Sequence, residues 1–278
     1  MSDIKIFMCC HKPFTYVPPM CIPTQCGSAL HAKVDGAVYD DGGENISEKN
    51  PEYCELTAHY YVWKNIDADY YGFCHYRRFF CFDESVSKPY LAKNELSEKD
   101  VKLLGTEQSI KSIVESNDMI VPRSEDMGIS VREHYDTSPH HYAEDLDLFI
   151  DILKQKNPRL KTDSDEYLQQ QRQYFCNMFV MKREIFFEYC ETLFDVLAEF
   201  DSRKKLHGDF QSDRTDGFLG ELFTGIYINH CRKNGANILE LPRIDVGCSL
   251  KKRGGCLILP PESKRRFLVK KAVKALRR

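Results

Sequence analysis

Apolar runs of strand length alternate along this chain with polar, turn-forming stretches and with longer segments of helical period. Ile4 to Cys9 is a short continuous apolar run, the pattern of a strand buried on both faces, and His11-Lys12-Pro13 breaks it. Residues 13–50 are rich in Pro, Gly, Asp and Asn, with a turn cluster at Asp40-Asp41-Gly42-Gly43-Glu44-Asn45. They read as one long loop, and a loop of that length inside a compact domain is usually functional. Asn50 as N-cap and Pro51 as first helical residue predict a helix from about Glu52 to Lys64. Tyr70 to Cys74 reads as a second strand, and residues 83–105 as polar and irregular. Further on, Glu107 to Glu115 reads as helix, Asp118 to Pro122 as strand, Ala143 to Lys154 as amphipathic helix and Tyr174 to Met181 as strand. The longest helical patterns are Arg183 to Phe200 and Thr215 to Arg232. This alternation predicts an α/β fold with a mainly parallel sheet, and no internal repeat interrupts it.

The end of the second strand carries the first chemistry. Tyr70-Tyr71-Gly72-Phe73-Cys74 runs directly into His75-Tyr76-Arg77-Arg78. In α/β folds the carboxyl ends of strands face the ligand crevice. Fixed guanidinium charge there suits a phosphate or diphosphate, although Arg77 and Arg78 could equally form surface salt bridges. Arg214-Thr215-Asp216-Gly217-Phe218-Leu219-Gly220-Glu221 opens the last long helix, with glycines that permit close backbone approach. An acid such as Glu221 beside a phosphate site could deprotonate a hydroxyl, or it could simply pair with Arg214.

Composition narrows the class. A chain of 278 residues with 42% hydrophobic and 29% charged residues is a globular protein with a substantial core. A net charge of −3 gives no general drive towards nucleic acid. The twelve cysteines are scattered, with neither C-x-x-C nor zinc-ribbon spacing, so a reduced cytoplasmic setting fits better than a disulfide framework. The N-terminal run reads as a strand rather than a signal peptide, and no stretch approaches the ~20 apolar residues of a membrane span.

Several common sites lack their fingerprints. There is no Walker loop, G-x-G-x-x-G, H-E-x-x-H or G-x-S-x-G. His140-His141 lies near Asp145 and Asp147, but adjacent histidines point in different directions, which argues against a metal site. Asp67-Ala68-Asp69 spells D-x-D, yet it precedes its strand, whereas a metal-holding D-x-D belongs at the strand's carboxyl end. A helix-to-strand turn is the plainer reading. The end of the chain differs again. Ser263 to Arg278 contains no acid and eight basic residues (Lys264, Arg265, Arg266, Lys270, Lys271, Lys274, Arg277, Arg278). Leu268, Val269, Ala272, Val273 and Leu276 share one helical face. That is the pattern of an interfacial helix on an anionic leaflet, the alternative being a solvated tail.

Taken in order, Asn45-Ile46-Ser47, Asn50-Pro51-Glu52-Tyr53-Cys54-Glu55-Leu56-Thr57-Ala58, Trp63-Lys64-Asn65, His75-Tyr76-Arg77-Arg78, Met178-Phe179-Val180-Met181-Lys182-Arg183 and Gly217-Phe218-Leu219-Gly220-Glu221 resemble a family of bacterial capsular and exopolysaccharide biosynthesis proteins long filed under a domain of unknown function. That family is similar to the GT-A glycosyltransferases and includes β-1,3-galactofuranosyltransferases. The resemblance covers about residues 4 to 250.

The resemblance implies an α/β GT-A-like nucleotide-diphospho-sugar transferase fold with a parallel-rich central sheet and a helical C-terminal part. Residues 1–262 would form one domain and 263–278 a basic amphipathic tail. It implies an inverting transferase, with UDP-galactofuranose as the expected donor and a lipid-linked or oligosaccharide acceptor. The nucleotide would sit on the N-terminal half, near Cys10, His11 and Lys12. Asp41, Asn45 and Glu55 are candidates for uridine or sugar contacts, and His75, Arg77 and Arg78 stand in for the usual metal motif. Asn177 and Arg214 are candidate acceptor contacts. Glu221 matches the Glu of the family's G-F-L-x-E segment and is the candidate general base. Asp216, where an apolar residue is common, is its rival. No cofactor is expected, with manganese or magnesium as the alternative, since many GT-A enzymes use one. The place expected is the cytoplasmic leaflet of the plasma membrane, held there by the tail. Transfer of another UDP-hexose, or a non-catalytic nucleotide- or glycan-binding role in a polysaccharide assembly complex, are the competing readings.

Overall fold

A computed structural model describes residues 2–209, 212–249 and Gly254. The strands are β1 (Ile4–Cys10), β2 (Cys21–Gln25), β3 (Val38–Tyr39), β4 (Tyr70–His75), β5 (Arg78–Phe80), β6 (Tyr90–Ala92), β7 (Met119–Pro122), β8 (Glu125–Asp126), β9 (Arg172–Gln173), β10 (Phe179–Lys182), β11 (Ile238–Leu241) and β12 (Arg243–Asp245). The α-helices are α1 (Asn50–Tyr53), α2 (Leu56–Asn65), α3 (Glu98–Leu103), α4 (Glu107–Glu115), α5 (Val131–Asp136), α6 (Ala143–Lys156), α7 (Lys161–Gln169), α8 (Arg183–Arg203) and α9 (Thr215–Lys233).

The main sheet runs β11-β7-β10-β4-β1-β2-β3. All its pairs are parallel except those of β10, which lies antiparallel between β4 and β7. The expected mainly parallel sheet is therefore a parallel-rich mixed sheet. β1 and β4 form its middle. Their continuous apolar sequences are buried on both faces, as strands sandwiched between two layers must be. Gly72 is needed here: a Cβ on it would meet Ile6 Cγ1 at 2.9 Å and Val180 Cγ2 at 3.0 Å, the side chains of its two strand neighbours. One face is covered by α2, α8 and α9 around Phe73, Phe179, Phe186 and Tyr189. The other carries a second apolar cluster around Ile6, Met8, Phe79, Phe80 and Ile244. Over that face, β12 pairs with β5 and β6 as a small flap.

The structure corrects four local expectations. The stretch 13–50 is not one loop but contains β2, parallel to β1, and β3, parallel to β2. Pro23 disguises β2, and it is tolerated because β3 reaches only Thr24 and Gln25. The helix expected from about Glu52 is broken at Cys54, whose φ of 53° and ψ of −129° end α1. Asn50 starts that helix rather than capping it, and its Nδ2 donates to Cys54 O at 2.7 Å. Residues 83–105 contain β6 and also α3, which Ser97 and Asp100 close with a capping box. The strand expected from Tyr174 begins only at Phe179, because Cys176 and Asn177 adopt positive φ.

Candidate active site

The carboxyl ends of β1 and β4 and the N-terminal ends of α2 and α9 converge on one region. From β4 the chain passes through Tyr76 and Arg77 and turns back, pairing His75 with Arg78. Tyr76 is buried, its N–H donating to Cys9 O at 3.0 Å, and its ring is ringed by cations. The Arg77 guanidinium lies 5.0 Å and the Lys12 ammonium 5.7 Å from its centroid, and His11 packs edge-on at 5.2 Å. Burial, helped by Arg78, Arg77, His11 and Arg214, pushes His75 down to about 3, and its buried Nδ1 has no partner among the described residues. His11 is lowered by burial and then by Lys12, Arg77, Arg214 and His31. Burial first, and then the positive field of the surrounding side chains, favours the neutral form of both imidazoles. Such a field accepts an anion.

Facing this group are two carboxylates. The break at Cys54 places Glu55 at the start of α2, where Asn177 Nδ2 donates to it at 2.9 Å. Glu221, on the second turn of α9, accepts a short hydrogen bond from the Cys176 N–H. Burial pushes Glu221 up to about 7 and Glu55 adds to the rise, while Cys176 N–H, Arg78 and Arg243 pull the other way. Arg214, before α9, donates from Nε to Cys54 Sγ at 3.2 Å and lies within electrostatic reach of Glu55 and Arg78. The glycines of α9 serve packing: a Cβ on Gly217 would meet Cys54 Sγ at 2.8 Å, and one on Gly220 would meet Leu56 Cδ1 at 2.6 Å. They bring α9 close enough to α1 and α2 for Glu221 and Glu55 to share a site.

Asp216, five residues before Glu221, faces elsewhere. It is fully buried and accepts from Lys204, whose ammonium also bonds Glu52 and Asp201. Burial raises the Asp216 carboxyl to about 7 against the pull of Lys204. Glu52, Asp201 and Asp216 have the oxygens to ligate a metal ion, but the cation they hold is Lys204. The D-x-D acids lie at the opposite end of β4. Asp67 pairs with Arg183, and Asp69 Oδ2 accepts from Asp3 N at 2.7 Å. His141 is packed between Tyr135 and Phe218, and burial lowers it to about 4. Asp145 accepts from His207 at 2.7 Å, and Asp147 pairs with Arg132.

Asp41 and Asn45, both in the stretch after β3, make contacts of their own. Asp41 pairs with Lys33, and that bond is the main reason its carboxyl is held below the usual range. Asn45 Oδ1 accepts from Ser47 N at 3.1 Å, a local turn. Its neighbour Glu44 bonds Tyr60 and Asn65 along α2, away from Glu55. An open groove of about 570 Å³, lined by Tyr60, Trp63 and Phe194, also lies on this helical face, away from the carboxylates.

Sequence reasoning missed Cys176 and Arg243. Arg243 is 5% exposed, bonds Asp245 at 2.9 Å and Glu125 at 2.5 Å, and reaches Glu221 electrostatically from the flap. No motif marks it; its only signal is a charge inside the apolar run Leu241–Ile244.

Residues 5–234 match a family model described as a domain of unknown function (DUF4422). No curated protein matches the chain. Among solved structures, the apo form of the bifunctional glycosyltransferase WbbM matches with a TM-score of 0.83 and 32% identity over 88% of this chain. The chain spans 45% of that protein's length. The architecture is that of an α/β GT-A-like fold.

Proposed function

The chain belongs to the DUF4422 family, and from that premise we propose that it is a glycosyltransferase of bacterial surface polysaccharide synthesis. The observation that carries the reading is its 32% identity, at a TM-score of 0.83, to a protein named as a glycosyltransferase. The arrangement at the strand ends supports it. Lys12, Arg77 and Arg78, with His11 and His75 as hydrogen-bonding groups, form a cationic face for the diphosphate of a UDP-sugar. UDP-galactofuranose is the proposed donor, and Arg214 and Asn177 border the acceptor side. In one displacement the acceptor hydroxyl oxygen attacks the anomeric carbon as its bond to the UDP oxygen breaks. The hydroxyl proton passes to Glu221, UDP leaves, and the anomeric configuration inverts. The guanidinium groups stabilise the negative charge that grows on the departing UDP.

Glu221 is favoured over Asp216 as base because it lies among Glu55, Arg78 and Cys176, whereas Asp216 is bound to Lys204. The residues present do not favour a resident metal: Lys204 occupies the centre of the acidic triad and the D-x-D acids lie at the wrong strand end. The basic tail, residues 263–278, lies outside the described residues. It is proposed to hold the enzyme on the cytoplasmic leaflet beside a lipid-linked acceptor. Among the described residues no helix is long and apolar enough to cross a membrane.

The test is a panel of nucleotide sugars, scored by thermal shift and by release of UDP with and without a galactose-terminated oligosaccharide. Acceptor-dependent UDP release from UDP-galactofuranose is expected. Release from another UDP-hexose would reassign the donor. Binding without release from any sugar nucleotide would favour a non-catalytic module.

A further inference from the structure

The backbone before β10 is strained where it meets the site. Cys176 and Asn177 both have positive φ, 84° and 45°. Residues with side chains rarely adopt this region, and consecutive examples persist only where surrounding structure enforces them. The turn has a definite result. It aims the Cys176 N–H at Glu221 and the Asn177 side chain at Glu55, so two adjacent residues each hold one carboxylate. Asn177 is 3% exposed and clamped in place, with Nδ2 3.5 Å from Gly217 O and Oδ1 3.2 Å from Thr224 Oγ1. The carboxylates come from different helices, Glu55 from the start of α2 and Glu221 from α9.

We propose that Glu55 is a positioning partner of Glu221: the Cys176–Asn177 turn holds the two carboxylates in one site, and the presence of Glu55 there tunes Glu221 as the proton acceptor. The inference rests on the glycosyl-transfer reading only for what the accepted proton is used for. Like charges at close range raise proton affinity on one member of a pair. The groups facing Glu221 are Glu55 at the start of α2, Arg78 from β5, Cys176 before β10, Arg243 from β12 and Tyr167 from α7. Arg78, Arg243 and the Cys176 N–H favour the ionised form; burial and Glu55 favour the protonated one, and the balance puts Glu221 near 7. Asp245 from β12 lies within electrostatic reach of Arg78 and Cys176, and Glu55 is the acid that acts on Glu221 itself, so its carboxyl is what a variant can change without touching the base.

The experiment uses the full chain with Glu55→Gln and, separately, Asn177→Gly. Glycine keeps the left-handed backbone and the Cys176–Glu221 bond while releasing Glu55. Two readouts are taken against pH: turnover, and the infrared band of a protonated carboxyl, identified by its loss in Glu221→Gln. In the wild type the band should disappear near neutral pH as the acidic limb of turnover rises. In Glu55→Gln both should move to lower pH by about one unit. Asn177→Gly should move both in the same direction by less. A band that titrates at the same pH in wild type and both variants overturns the pairing. A band that moves as expected in a protein that consumes no nucleotide sugar supports the pairing and overturns the glycosyl-transfer reading instead.

Discussion

The ammonium of Lys204 lies 2.5 Å from Asp216 Oδ2, and the same nitrogen is 2.5 Å from Glu52 Oε2 and 2.6 Å from Asp201 Oδ1. The lysine caps the end of α8, so one buried cation ties α8 to α1 and to the start of α9. Of these, α1 leads through Cys54 to Glu55 at the start of α2, and α9 carries Glu221. Lys49 and the Tyr53 hydroxyl add bonds to Asp201 at 2.6 and 2.7 Å. The expected consequence is structural. Lys204→Met should leave three carboxylates around an apolar side chain and cost about 3–5 kcal/mol, the scale for breaking a buried ion pair from one side. Urea unfolding of variant and wild type measures it. A loss below about 1 kcal/mol would mean that water or a bound cation replaces the ammonium.

Transfer should survive chelation. The groups at the carboxyl ends of β1 and β4 are His11, Lys12, His75 and Arg77, and the facing carboxylates, Glu55 and Glu221, are held by Asn177 and the Cys176 N–H. The assay is turnover after EDTA treatment and desalting. Loss of activity restored by manganese would show that a metal is held by acids assigned other roles above.

Glu221→Gln should lower turnover by about a hundredfold, the common scale for a general base, while UDP binding is kept. Its pKa near 7 sets the sign of the wild-type pH dependence. A base works deprotonated, so turnover should rise as pH climbs through about 7. Stability runs the opposite way. Folding raises this carboxyl above its ordinary value, so its protonated form favours the folded state, and that contribution is lost as pH rises through the folded pKa. Glu221→Gln should therefore gain stability relative to wild type as pH rises from about 4.5 to 7. Arg77→Ala, by contrast, should weaken UDP binding about tenfold or more, as loss of a charge-assisted contact does. If Asp216→Asn loses turnover while Glu221→Gln keeps it, Asp216 is the base.

How much of this is legible in the sequence depends on whether a feature is local. The run from Tyr70 into His75-Tyr76-Arg77-Arg78 is, because a buried strand and the charges at its end are contiguous. The two longest helices are legible for the same reason, their apolar faces repeating within one segment. Strand β2 is hidden by Pro23, and β3 is too short to show a period. The Lys204 cluster is invisible, since its members meet only when α1, α8 and α9 pack. So is the turn at Cys176 and Asn177: the apolar run from Tyr174 to Met181 has no glycine or proline to mark a break. The site's carboxylate pair depends on that turn and on the break at Cys54, so the sequence offers each acid as a candidate but not their proximity.

The last prediction concerns the tail. Eight basic residues between Lys264 and Arg278, with an apolar stripe at helical spacing, are expected to hold the protein on anionic membranes. Each basic residue near such a surface is worth about 1 kcal/mol, and salt screens the attraction. The apolar stripe is short, so binding should be peripheral and reversible. The family match ends at residue 234, well before the tail, so deleting residues 263–278 should leave the core folded. Turnover on a soluble acceptor analogue should be largely kept, and activity on a lipid-linked acceptor in vesicles should fall. Co-sedimentation with phosphatidylglycerol vesicles checks the binding directly: the full chain should pellet at low salt and be released at high salt, and the truncation should stay in solution. Equal sedimentation of the two at low salt would mean that the tail does not bind the membrane and that any anchoring lies in the folded core.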